Sequence, residues 1–203
     1  SDHWDDYIEA LGQLRGMNVV YPCFCTRQEI RREIERVGAA PHGREHPIYP
    51  GICRHLADDE RNARMVAGTP FALRLDVMQA AEISGPLYFD DHARGRIDVD
   101  PTRQGDVVIA RKDIAISYHL AVVVDDALQG VTCVTRGEDL LDTTHVQRML
   151  QKLLGMSAPD YAHHRLLVGA DGKRLAKRDK AKTIRALREE GFTPGDVRAM
   201  CGI

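Results

Sequence analysis

Tyr118-His119-Leu120-Ala121-Val122-Val123-Val124-Asp125-Asp126-Ala127-Leu128-Gln129-Gly130-Val131-Thr132-Cys133-Val134-Thr135-Arg136-Gly137-Glu138-Asp139-Leu140-Leu141 decides the fold of this chain. Its first eleven residues are mostly apolar. The Val122-Val123-Val124 triplet favours a strand by propensity, while the length of the run suits a helix. Gln129-Gly130 interrupts it, and Val131 to Thr135 is a short strand candidate. Arg136-Gly137-Glu138-Asp139 then falls at the C-terminal edge of that strand, where open α/β sheets bind their ligands. An arginine there can hold a carboxylate through two parallel hydrogen bonds, which a lysine cannot copy. Tyr118 offers a hydroxyl. Asp125-Asp126 offers two adjacent acids, equally well explained as a helix-surface or capping pair.

Outward from this block, elements alternate. Trp4, Tyr7, Ile8, Leu11 and Leu14 are spaced for one buried helical face, with Gly16 as a stop. Thr26 with Glu29 forms a capping box that opens a charged helix through about Val37. A second helix is expected from Asp58 to Ala67 and a strand over Phe71 to Leu75. Gly85 to Asp100 reads as a hairpin or loop, and Asp106 to Ala110 as a buried strand. A helix from Thr143 to Leu154 ends at Gly155. Leu166-Leu167-Val168 is a further strand candidate, followed by a basic loop and a final helix. Short buried strands alternating with helices argue for an α/β fold.

Gly38 to Ile52 is rich in Gly, Pro and His and has no period, and a loop of that length usually needs a staple or a function. Cys23 and Cys25 precede it and Cys53 follows it. Three thiolates converging on such a loop suggest one structural zinc, which closes a tetrahedral site. His42, His46, Tyr49 and His55 are candidates for the fourth ligand. Zinc chemistry alone favours a histidine, because a phenol must lose a proton whose ordinary pKa is about 10. The bland alternative is that these cysteines are small buried residues.

Asp171-Gly172-Lys173-Arg174-Leu175-Ala176-Lys177-Arg178-Asp179-Lys180 starts at a turn and becomes strongly basic. Such a loop can meet polyphosphate, although most basic runs are solvated faces. No Walker-type or Rossmann glycine fingerprint accompanies it.

Together these residues resemble the glutamyl-tRNA synthetase family, a class I aminoacyl-tRNA synthetase group. Tyr118 to Leu141 looks like its signature block, and Gly172 to Arg178 like its version of the KMSKS loop. There Arg174 stands for the first lysine, Ala176 and Arg178 for the serines, and Lys177 for the second lysine. Cys23-x-Cys25, then Tyr49, three residues and Cys53 resembles the metal pattern of the shortened branch, the glutamyl-Q tRNA(Asp) synthetases. The resemblance thus implies Tyr49 as fourth zinc ligand, with His46 as the fallback. It implies a Rossmann-like class I catalytic core with a zinc-binding insert. Residues 1–20 would form a helical part of the core, 21–56 the insert, 57–165 the core with the glutamate site, and 166–203 the KMSKS-like loop and a C-terminal helical segment.

The implied reaction is ATP-dependent activation of L-glutamate and its transfer, through glutamyl-adenylate, to queuosine of tRNA(Asp). ATP would be the co-substrate, with Mg2+. Tyr118 and Arg136 would hold glutamate, and Lys177 would contact ATP and act in catalysis. The alternatives are a fragment of an ordinary glutamyl-tRNA synthetase, or a non-catalytic zinc-stapled tRNA-binding module. The family's N-terminal HIGH-type motif has no counterpart here, so Ser1 to Trp4 matches a point inside the family's domain. The chain alone is therefore expected not to form adenylate. Only about two dozen residues follow Lys180, so no anticodon-binding domain is expected.

With 43% hydrophobic and 29% charged residues, 203 residues can bury a real core. The net charge of −2 advertises no nucleic-acid partner by overall field, although a local basic surface would suffice. No membrane span or signal peptide is apparent, and the five cysteines do not read as a secreted disulfide framework. A cytoplasmic monomer is the expectation.

Overall fold

The computed structural model describes residues 3–36, 48–111, 115–168 and 183–202. In chain order the elements are α1 (Trp4–Gly16), β1 (Val20–Cys23), α2 (Arg27–Arg36), α3 (Asp58–Val66), β2 (Ala72–Leu75) and α4 (Val77–Ser84). Then follow β3 (Tyr88–Asp91), β4 (Gly95–Asp98), β5 (Val108–Arg111), β6 (Ala115–Ile116), α5 (Tyr118–Leu128), β7 (Cys133–Gly137), a 3-10 turn (Glu138–Leu140) and α6 (Leu141–Leu153). β8 (Asp160–His164), α7 (Ile184–Glu189) and α8 (Pro194–Cys201) complete the set.

Two four-stranded sheets result. The first has the order β1-β2-β5-β6, and all its pairs are antiparallel. The second has the order β4-β3-β8-β7, with β8 parallel to both its neighbours and β4 antiparallel to β3. β7, α6 and β8 therefore make a β-α-β crossover, the connection that parallel neighbours require. It is α/β architecture with mixed sheets.

The ambiguous run Tyr118 to Leu128 is a helix, because Leu120, Val123 and Val124 at helical spacing fill the main core. That core also holds Leu14, Val19, Leu75, Ile109, Val146, Met149 and Leu150. In α1 the buried residues are Tyr7, Ala10 and Leu14, whereas Trp4 and Ile8 are exposed, so the buried face is narrower than expected. Helix α6 packs against α4 and α5 and buries polar residues, Thr144, His145, Gln147 and Gln151 among them. The capping box at α2 forms as expected: the Thr26 N–H donates to Glu29 Oε2 at 2.7 Å and the Glu29 N–H to Thr26 Oγ1 at 3.2 Å.

One strand expectation is corrected. The strand is Asp160–His164, and Leu166 and Leu167 lie beyond it, with Val168 forming only an isolated bridge. Period-2 burial of Tyr161 and His163 selects this register, and its polar composition concealed it. A Cβ at Gly137 would crowd two side chains, the Asp139 carboxylate most closely and the Leu166 Cδ2 at 2.9 Å. Among the described residues, no helix is long and apolar enough to cross a membrane.

Candidate active site and metal centre

Arg136 is the penultimate residue of β7, directly opposite His163 of β8. It is 9% exposed, and a buried guanidinium must find partners or cost several kcal/mol, on the order of 3–5. It finds two. Nε donates to His163 Nε2 at 3.1 Å, and Nη2 donates to Thr144 Oγ1 of α6 at 2.5 Å. His163 Nδ1 meets Asp91 Oδ2 of β3 at 2.7 Å, so three strands and a helix share one network. Asp91 also accepts from the amides of Ala93 and Arg94 at 3.0 Å and of His163 at 3.2 Å. Burial raises the Asp91 carboxyl, but these bonds outweigh it and hold the group below its ordinary range. Burial lowers His163, against the pull of Asp91 and aided by the Arg136 charge, which leaves a neutral ring. Because Nε2 accepts from Arg136, the ring proton sits on Nδ1, facing Asp91.

Other groups feel the Arg136 charge. It lowers Asp126, which burial raises on balance. Burial and Arg136 together push His119 down to about 4, and His119 Nδ1 has no hydrogen-bond partner among the described residues. Tyr118, at the first turn of α5, is 52% exposed and stands edge-on to His119, with ring centres 6.1 Å apart. Asp125 takes a structural role, accepting from Tyr7 of α1 at 2.5 Å. A buried cation at the end of a parallel strand can receive a carboxylate-bearing ligand.

His119 and His163 set an acid limit. Their folded-state pKa values lie below the ordinary 6.5 of an unfolded histidine. The unfolded chain therefore binds more protons, and stability falls as pH drops below about 6.5. For His119, whose value falls to about 4, the contribution is on the order of 3 kcal/mol. Urea midpoints should decline steadily from pH 6.5 to 4, and a midpoint constant over that window would contradict this account.

The second constellation surrounds the cysteines. The Sγ atoms of Cys23, Cys25 and Cys53 all lie within 4.8 Å of one another, Cys25 and Cys53 at 3.4 Å. The Tyr49 hydroxyl stands 3.3 Å from Cys23 Sγ and 3.6 Å from Cys25 Sγ. Sulfurs about 3.8 Å apart are what tetrahedral zinc with bonds of about 2.3 Å demands, so this donor set fits the ion. The Phe24 N–H points at Cys53 Sγ at 3.4 Å, an outer bond of the kind that supports a metal thiolate. The Arg74 guanidinium covers the Tyr49 ring at 3.8 Å. Hydrogen bonding with Cys53 and Tyr49 outweighs burial and brings Cys23 down to about 4, while burial raises Cys25 and Tyr49. The His55 side chain is exposed, and it is not part of the cluster. His42 and His46 lie outside the described residues, as does the whole basic loop with Lys177.

The structure brings Cys23, Cys25, Tyr49 and Cys53 together and sets Arg136 in a network with Asp91, Thr144 and His163, three residues that the sequence reading did not single out. The alternation of Tyr161 and His163 after Pro159 was the one available sign of β8.

Comparison with known proteins accords with this geometry. Residues 1–202 match the family model described as tRNA synthetases class I (E and Q), catalytic domain. A Rhodobacter capsulatus protein named glutamyl-Q tRNA(Asp) synthetase is 40% identical over all of this chain and 74% of its own length. Proteins of the same name from Symbiobacterium thermophilum and Nocardia farcinica are 42% and 44% identical over 97% and 96% of the chain. The chain spans only 59% and 58% of those two relatives. A solved glutamate-tRNA synthetase from Elizabethkingia anophelis shares the fold with a TM-score of 0.70 at 24% identity, over 94% of this chain and 37% of that one. The chain belongs to the family of class I tRNA synthetase (E and Q) catalytic domains.

Proposed function

We propose that this chain, together with the N-terminal HIGH-type part of its family's catalytic domain, activates L-glutamate with ATP, in the presence of Mg2+, and transfers it to queuosine of tRNA(Asp). The observation that carries the reading is Arg136, a buried cation held at the C-terminal end of β7 by His163 and Thr144. A side-chain carboxylate of the substrate is its natural partner. Tyr118 lies at the start of α5, beside His119, and supplies a hydroxyl to the amino acid. Lys177 supplies a point charge to the ATP phosphates, an assignment that rests on its motif. The names of three relatives add the amino acid, the tRNA and the modified nucleoside.

The α-carboxylate of glutamate attacks the α-phosphorus of ATP, and pyrophosphate leaves. A hydroxyl of the queuosine cyclopentenediol then attacks the acyl carbon and loses its proton as AMP departs. Neither step needs a protein nucleophile. Positioning and stabilisation of developing phosphate charge supply the catalysis. Cys23, Cys25, Tyr49 and Cys53 would hold one zinc, whose contribution is to order the loop between them.

The test supplies the protein carrying both this chain and the HIGH-type part with labelled glutamate, ATP and queuosine-containing tRNA(Asp), queuosine-lacking tRNA(Asp) or tRNA(Glu). Label is expected on the first alone. Charging of tRNA(Glu) would instead favour an ordinary glutamate–tRNA ligase, the name of an Aquifex aeolicus relative 38% identical over 96% of this chain. No label on any of the three would overturn the reading.

A further inference from the structure

Arg136 donates through Nε and Nη2 to two buried acceptors, each held in turn from a different element. Thr144 is fully buried, and its Oγ1 lies 3.3 Å from the Leu140 carbonyl, just before its helix, and 3.1 Å from His163 Nε2. His163 is 2% exposed and pinned to Asp91, itself 2% exposed. The Tyr161 ring stacks on the His163 ring at 5.8 Å and 10°, and lies 5.4 Å from Arg136 Cζ. Arg94 closes the outer side. Its Nη1 donates to the His163 carbonyl at 2.8 Å and its Nη2 to Glu138 at 2.9 Å. These contacts fix the plane and rotation of the guanidinium, and Nη1 of Arg136 makes no hydrogen bond to any described residue.

We infer that Asp91, His163 and Thr144 are positioning residues, which orient the Arg136 guanidinium for the side-chain carboxylate of the amino acid and so set the enzyme's affinity for glutamate. The inference rests on the assignment of Arg136 to that carboxylate. Its physical content is directional. A bidentate pair needs a planar donor set at one angle, and a guanidinium free to rotate would spend binding energy on ordering itself. Asp91 acts at one remove. As a carboxylate it accepts the Nδ1 proton of His163, which leaves Nε2 as an acceptor for Arg136. An asparagine there would turn an amide N–H toward Nδ1, move the ring proton to Nε2, and set two N–H groups against each other at Arg136. Thr144 acts directly, through a hydroxyl that valine lacks and serine keeps.

ATP–pyrophosphate exchange by the protein that also carries the HIGH-type part is the assay, with KM for glutamate and for ATP measured separately in Thr144→Val, Thr144→Ser, Asp91→Asn and Arg136→Lys. Thr144→Val should raise KM for glutamate about tenfold, as loss of a bond to a charged group does, and leave KM for ATP within about twofold. Thr144→Ser should restore the wild-type value. Asp91→Asn should match or exceed the valine effect; should that protein fail to fold, the threonine pair decides alone. A Thr144→Val enzyme with unchanged KM for glutamate, beside an impaired Arg136→Lys enzyme, overturns the positioning role and leaves the glutamate site standing. An Arg136→Lys enzyme with unchanged KM for glutamate overturns that site and this inference together. A Thr144→Val effect equal on both substrates, or unrelieved by serine, marks a packing defect and also overturns the inference.

Discussion

Arg136→Lys is expected to lower kcat/KM for glutamate about a hundred- to a thousandfold while leaving KM for ATP nearly unchanged. A lysine keeps the charge but loses the planar fork. It also leaves His163 Nε2 and Thr144 Oγ1, which accept from Arg136 at 3.1 and 2.5 Å, without their donors. Removing one partner from a buried charged network costs about 2–5 kcal/mol, and that energy sets the size of the effect. Steady-state exchange kinetics at saturating ATP provide the measurement. A change of less than about threefold in kcat/KM would mean that the carboxylate binds elsewhere.

Cys53→Ser is expected to abolish metal binding and to lower the melting temperature by 10 °C or more, on the basis of about 2–4 °C per kcal/mol for a chain of this size. Structural zinc contributes folding energy directly, on the order of 10 kcal/mol in small domains. Here the cysteines belong to a second buried cluster with Tyr21, Phe24 and Tyr49, separate from the main core. That cluster has few apolar residues to replace a lost ion. Elemental analysis of the purified protein should give one zinc per chain, falling to near zero in Cys53→Ser, and a strong chelator should reproduce the thermal shift. Tyr49→Phe should keep the three thiolates and lose less affinity. A wild-type protein that melts unchanged after metal removal would show the cluster to be a packed thiol core.

Most of the helices were legible because their signals are local. The Thr26–Glu29 capping box and the turn at Gly155 each lie within a dozen residues. The identity of the α5 block was resolved by packing: the valines that favour a strand became a helix because Val123 and Val124 face the core one turn beyond Leu120. β8 was not legible, since its inward positions are Tyr161 and His163 and its neighbours are Asp160 and His164. A strand whose buried side chains are polar carries no hydrophobic alternation. Its signal is the network it completes.

By itself the sequence determined the cysteine spacing, the arginine at the end of a strand and the α/β alternation, because each is a short-range property of residue type and interval. Only the tertiary structure decided which polar residues serve the site. Arg136 and Thr144 are eight residues apart, but 72 residues separate Asp91 from His163. Parallel pairing of β8 with β3 and β7 brings them together. Non-local pairing carries no mark on any one residue, because the free energy that selects it belongs to the assembled sheet and to the buried charge that must be satisfied within it.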